Sequence, residues 1–156
     1  MKYRQLTKEQ FESLHEEFAG FLATQQIDVK EWEEIKQSKP ELAEEEMNVF
    51  SDIVWEDVLN KTRFLEHISE HHINLFQCNS KEIIRVYIHW KDPKRSFLEQ
   101  TDFQWFKSNF LHDSIEYYKA VKSYNEDRNT ELFDLIEKGS EISDGSLYKA
   151  VIQVIS

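Results

Sequence analysis

Glycine and proline are scarce, with three glycines and two prolines in 156 residues. That scarcity excludes collagen-like, low-complexity and flexible-linker chains. It also excludes the glycine-rich phosphate cradles, because neither G-x-G-x-x-G nor G-x-x-x-x-G-K occurs. Cysteine is limited to Cys78, so no internal disulfide can form. Long apolar runs are missing as well. The longest uninterrupted ones reach three or four residues, far short of the roughly 20 that span a bilayer. Met1 to Leu6 gives way at once to Thr7-Lys8-Glu9-Gln10, with no apolar signal-peptide core. The expectation is a cytoplasmic protein with no membrane partner.

What is present is a core and an excess of negative charge. Hydrophobic residues make up 40% and aromatics 13%, enough to fold rather than stay disordered. The length suits one domain over 1–156. The net charge is −11, unevenly spread. Residues 1–60 hold 6 basic and 15 acidic side chains, a balance of −9, and residues 61–156 hold 13 and 15, a balance of −2.

Hydrophobic spacing predicts a helical N-terminal layer. Thr7 and Gln10 fit a capping box. Phe11, Leu14, Phe18, Phe21 and Leu22 follow at helical spacing, giving a helix over about 7–25. Asp28 opens a second helix to about Ser38, and Pro40 suits the first turn of a third. With no glycine or proline between 41 and 72, that helix is expected to reach about Ser69. The alternative is a strand carrying Phe64, Glu66 and Ile68.

From Ile73 the period changes to two. Ile73 to Cys78 and Glu82 to Trp90 read as a hairpin about Asn79-Ser80. Ile84, Val86, Ile88 and Trp90 share one face, and Ile83, Arg85, Tyr87, His89 and Lys91 the other. A helix is expected from Thr101 to about Leu111, and 114–121 fits either a third strand or a helix. Helices follow at 125–138, stopped by Gly139, and from a Ser143 cap to Ile155. The fold class is α+β: a helical N-terminal layer, a small antiparallel sheet built on a β-hairpin, and C-terminal helices.

The segments MKYRQLTKEQFE, FLATQQID, EWEEIK, FSDIVWEDVL, HINLFQC and DRNTELFDLIEKG, spread from Met1 to Gly139, resemble a family of short acidic proteins of unknown function from Bacteroidota. The resemblance implies a stand-alone cytoplasmic protein of one domain. It brings no activity and no site residue.

Three constellations could carry chemistry. If 63–71 is helical, His67 and His71 lie four residues apart on one face, the spacing that lets two imidazoles share zinc, and Cys78 could be a third ligand. A helix end rich in histidine is the plainer reading, so no cofactor is expected unless zinc is held there. Arg85, Tyr87, His89 and Lys91 form a sheet face within a stretch, 81–95, that holds five cations against two acids. A ring flanked by cations can stack a base of single-stranded nucleic acid, although the overall negative charge argues against a polyanion. Glu41, Glu44, Glu45 and Glu46 cluster at a helix start, either as a solvated face or as a docking surface for a basic partner. Asp127-Arg128-Asn129 reads as a local N-cap. No nucleophile with a nearby base stands out. The expected role is therefore a non-enzymatic adaptor or regulatory protein, monomer or homodimer, that docks a protein partner through its acidic helices.

Overall fold

The capping box at Thr7 forms as its residue types dictate: the Thr7 hydroxyl accepts from the Gln10 amide and the Gln10 side chain accepts from the Thr7 amide. From there a computed structural model describes residues 1–155. The chain divides into two compact units, Met1–Asn60 and Lys61–Ser156.

The first unit is helical: α1 (Lys8–Ser13), α2 (His15–Thr24), α3 (Val29–Ser38) and α4 (Pro40–Lys61), whose last residue marks the start of the second unit. The single helix expected over 7–25 is two, because Leu14 leaves helical geometry at φ −109°, ψ 23°. Phe11, Phe18, Phe21, Trp32 and Phe50 interlock with ring centroids 5.0–6.2 Å apart. Phe50 is buried, which stabilises by about 1.5–3 kcal/mol, and the other four rings are half-buried and contribute less. Residues 2–6 lie along α4: Asp52 accepts the amides of Lys2 and Tyr3, and the buried Ser51 hydroxyl accepts that of Leu6.

The second unit is a five-stranded antiparallel sheet in the order β4-β3-β2-β1-β5. Its strands are β1 (Phe64–Ile68), β2 (His72–Cys78), β3 (Glu82–Trp90), β4 (Ile115–Ser123) and β5 (Glu141–Ser143), with helices α5 (Gln100–Lys107), α6 (Arg128–Glu137) and α7 (Ser146–Ile155). The structure is therefore α+β, with helices at both ends of the chain. One sheet face carries the core: Ile73, Leu75, Val86, Ile88 and Trp90 pack with Phe97, Phe106 of α5 and Tyr148 and Val151 of α7. The ambiguous stretch 114–121 is strand β4, where Ile115 and Tyr117 continue the core face beside Trp90 and Ile88.

The helix expected to reach about Ser69 ends at Lys61, and Phe64–Ile68 form strand β1, the alternative reading. Strand β1 sits between β2 and β5, with Leu65 opposite both Phe76 and Ile142. Pairing on two sides outweighs the lack of a helix-breaking residue. The last helix starts at Ser146 rather than after Ser143, because 141–143 form β5. Gly145 makes that corner: φ is +81°, and a Cβ there would lie 2.5–2.6 Å from the Phe64 ring. The fourth helix of the sequence reading begins at Gln100 and ends at Lys107, and it is capped by Glu99, two residues before the expected Thr101 cap.

Helix α6 is fixed by its first residue. Asp127 caps it, as its residue type suggested, by accepting the Thr130 amide. Arg128 then donates to the carbonyls of Thr62, Cys78 and Asn79 and to the Asn129 side chain. One guanidinium thus satisfies three backbone acceptors from two parts of the chain, which a point-like ammonium matches less well. Arg128→Ala should lower unfolding free energy by about 2–4 kcal/mol, and Arg128→Lys should recover less than half of that loss, read from urea titrations.

A second consequence concerns the β1–β5 pair. Glu66 faces Glu141 directly across it, and burial, then Asp144 and Glu141, push the Glu66 carboxyl above its ordinary range. A raised carboxyl pKa means the ionised form opposes folding at neutral pH, and that penalty fades as pH falls and Glu66 protonates. Glu66→Gln should therefore stabilise by about 0.2–1 kcal/mol at pH 7, with the difference from wild type shrinking toward acid pH in thermal melts.

Candidate functional site

The face of the sheet turned away from the core carries the chemistry. Alternation places His67 of β1, His72, Asn74 and Phe76 of β2, Arg85, Tyr87 and His89 of β3, and Glu116, Tyr118, Ala120 and Lys122 of β4 on this side. Opposed residues on one face of an antiparallel pair touch, so the side chains form rows. In the first, the His72 and His89 rings stack 4.9 Å apart. In the next, Tyr87 lies between Asn74 and Tyr118, its ring 5.5 Å from His72 and 5.9 Å from Tyr118. Burial, then the neighbouring His89 and His71, hold the His72 imidazole below its usual pKa. The His72 Nδ1 and the Tyr87 hydroxyl are in hydrogen-bond contact.

The four residues expected on one basic face divide. Arg85, Tyr87 and His89 do share it, in the order read from the alternation. Lys91 lies just past the end of β3, and its ammonium is 3.7 Å from Glu116. Glu116 is also 3.7 Å from His89 and accepts the Tyr118 hydroxyl. Arg95, another cation of the same stretch, pairs with the nearly buried Asp102 at 3.0 Å. The local positive charge is thus largely spent within the unit, and no continuous cationic track for a polyanion results.

Arg85 is held by neutral partners instead. Its Nε and Nη2 both donate to the Asn74 carboxamide oxygen, at 2.9 and 2.6 Å, and its guanidinium carbon lies 5.4 Å from the centre of the Tyr87 ring. Among the described residues it makes no ion pair.

Arg85 stands in the floor of an open groove of about 760 Å³. Asn74, Phe76, Ile83, Ala120 and Lys122 supply the rest of the floor, and Glu131, Asp134 and Leu135 of α6 with the following Lys138 the wall. His67 and Ser140 close one end, and Tyr124, Asn125 and Glu126 the other. Local contacts hold the wall. Glu131 takes the Lys122 ammonium at 3.1 Å and the Asn125 amide at 3.1 Å. The Tyr124 hydroxyl donates to the Asn79 carbonyl, and burial pushes it up to about 12. Gly139 follows α6 at φ +114°, in the positive-φ range expected of it, and a Cβ there would meet the His67 ring at 3.1 Å. The size suits a small organic ligand, and an apolar floor with a few placed polar groups is the usual make-up of a binding site.

The zinc constellation does not assemble. His67 sits mid-strand opposite Asn74, so the four-residue helical spacing to His71 is absent. His71 lies in the turn after β1, its buried Nδ1 without a hydrogen-bond partner and its Nε2 3.6 Å from Glu70. Cys78 is four residues beyond Asn74, about 13 Å along the strand. Among the described residues no group of three or more His, Cys, Asp or Glu is placed to hold a metal ion. Burial pushes the Cys78 thiol up to about 12, against the lowering effect of Arg128 and Arg63. It is protonated at neutral pH and poorly suited to nucleophilic attack.

Of the acidic residues at the start of α4, Glu41, Glu44 and Glu45 are exposed and Glu46 is half-buried. Glu44 accepts from the Gln5 side chain at 2.9 Å and Glu46 from Gln25 at 2.7 Å. Sequence reasoning missed the groove itself. Arg85 was singled out, but Asn74, Ala120, Leu135 and Lys138 were not, because the groove exists only where α6 approaches the sheet. Strand alternation gave the floor's parity and nothing in the sequence gave the wall.

Among the described residues no helix is long and apolar enough to cross a membrane. No curated protein and no solved structure matches the chain. A family of unknown function, DUF6495, matches it from residue 1 to residue 156, and the chain belongs to that family.

Proposed function

We propose that this is a non-enzymatic cytoplasmic binding protein whose recognition site is the groove between the open sheet face and α6. The observation that carries the reading is Arg85. It is a cation beside the apolar Phe76, Ile83 and Ala120, held by Asn74 and Tyr87 and, among the described residues, without an acidic partner, while nearby Lys122 and Lys91 are paired. A side chain already fixed in one geometry loses less entropy when a ligand arrives. Phe76, Ile83, Ala120 and Leu135 offer apolar contact.

The test is a fragment collection titrated into isotope-labelled protein and followed by two-dimensional NMR. Saturable shifts should cluster at Phe76, Ile83, Ala120 and Leu135. Ala120 is exposed on the edge strand β4, so Ala120→Trp can fill the groove without entering the core. That variant should keep the wild-type melting temperature and lose the shifts. Shifts scattered over the surface, or unchanged by Ala120→Trp, would remove the groove as the recognition site.

A second reading rests on Glu41 and Glu45, exposed and four residues apart on α4. They support the adaptor role, in which a basic protein partner docks on the acidic helices and opposite potentials steer the encounter. Glu41→Lys with Glu45→Lys should then abolish a stoichiometric partner retained from lysate at low salt. Retention unaffected by the double change would discard this face.

A further inference from the structure

We propose that the groove grips the carboxylate of a small organic acid on the outward fork of Arg85, with the acid's apolar body lying over Phe76 and Ala120. The inference rests on the groove being the recognition site and adds the chemistry of what enters it.

The argument starts from the donor inventory of arginine. A guanidinium has five N–H groups arranged as a side fork, Nε with Nη2, and an end fork, Nη1 with Nη2. Here both members of the side fork donate to one acceptor, the Asn74 oxygen. The Tyr87 ring supports the plane of the group. The end fork is left, in a fixed orientation, and two parallel N–H donors match the two oxygens of a carboxylate. Asn74 thus acts as a positioning residue, and Tyr87 with it.

The neighbours in register favour a body beside that head. Phe76 on β2 and Ala120 on β4 flank Arg85 directly. Phe76 offers a ring, and the single methyl of Ala120 leaves room that a larger residue would fill. Leu135 of α6 faces the same space.

The charge on the wall chooses between anions. Glu126, Glu131 and Asp134 line the groove, and the Glu131 charge is offset by Lys122. Lys138 is the other lining cation, and among the described residues it makes no ion pair. Lining cations and anions therefore balance, which suits a singly charged head. A phosphate near its full charge would meet Asp134 and Glu126 with twice the repulsion. Planar shape and single charge both point to carboxylate.

The experiment titrates hydrocinnamate, its carboxamide and phenyl phosphate into isotope-labelled protein, reading the amide signals of Phe76, Arg85 and Ala120. Hydrocinnamate should shift them saturably, with the carboxamide weaker by about tenfold or more, as the loss of a charge-assisted pair predicts. Arg85→Gln should bring the acid down to the affinity of the carboxamide. Arg85→Lys, which keeps the charge and loses the fork, should retain only part of the preference. Asn74→Ala should weaken the acid and leave the carboxamide unchanged, an outcome that a purely structural role would not give. Equal binding of acid and carboxamide would overturn the carboxylate assignment while leaving the groove standing as a site. Tighter binding of phenyl phosphate would overturn it in favour of a phosphate. Shifts that survive Arg85→Gln undiminished would overturn the role of Arg85, and silence from all three compounds would overturn the proposal as a whole.

Discussion

The strict alternation of β3, held in register on both sides by β2 and β4, is the constraint on which the second unit depends. Val86 and Ile88 are fully buried, and Arg85, Tyr87 and His89 between them face the other way. Side chains in a strand have a period of two, so a slip of one residue would send all three polar side chains into the core. The cost of burying an unpaired guanidinium is large enough to exclude that register. The burial that stabilises the sheet and the exposure that creates the open face therefore have one cause. Arg85 is on the groove floor because Val86 is in the core.

Two ties then convert a sheet face into a groove. Arg128 fastens the start of α6 to carbonyls at Thr62, Cys78 and Asn79, and Gly139 lets the chain turn after α6 where a side chain would strike His67. Between these points α6 runs beside the sheet and, with the following Lys138, contributes Asp134 and Leu135. The wall is thus set by long-range hydrogen bonds and by one residue that lacks a side chain. The Arg128 tie involves no residue of the groove lining.

How much of this was legible follows from the range of each interaction. The β2–β3 hairpin and the partition of Arg85, Tyr87 and His89 from Val86, Ile88 and Trp90 were legible, because alternation is local. So were the Thr7, Asp28 and Asp127 caps, which act over three residues. Strand β1 was misread as helix because its decisive contacts are to Phe76 and Ile142, the second of them far along the chain. Its own residues, Phe64 to Ile68, hold no breaking residue and only a weak alternation. That misreading carried the zinc idea with it, since the i,i+4 relation of His67 and His71 has no meaning on a strand and the turn that follows it. The basic stretch was correctly placed on a face, but its charge was overstated: Glu116 and Asp102, which neutralise Lys91 and Arg95, lie 25 and 7 residues away by their own numbering. Charge counted along a sequence is not charge on a surface.

That distinction bears on what kind of ligand the second unit can meet. A binding surface for a polyanion needs several unpaired cations in line, each releasing counterions on contact. Here the pairs at Glu116, Asp102 and Glu131 interrupt such a line, and Arg85 is a pinned fork beside Phe76, Ile83 and Ala120. One fixed fork in a concave site discriminates by shape and by the presence of one anionic head, not by charge density. The same economy explains how a chain with net charge −11 can still attract an anion. The long-range field of the molecule is repulsive, but ionic strength screens it beyond about 8–10 Å, whereas the donors of Arg85 act at hydrogen-bond distance. Recognition on this face is therefore a matter of local geometry, and Asn74 and Tyr87, which set that geometry, are as much a part of the site as the cation they hold.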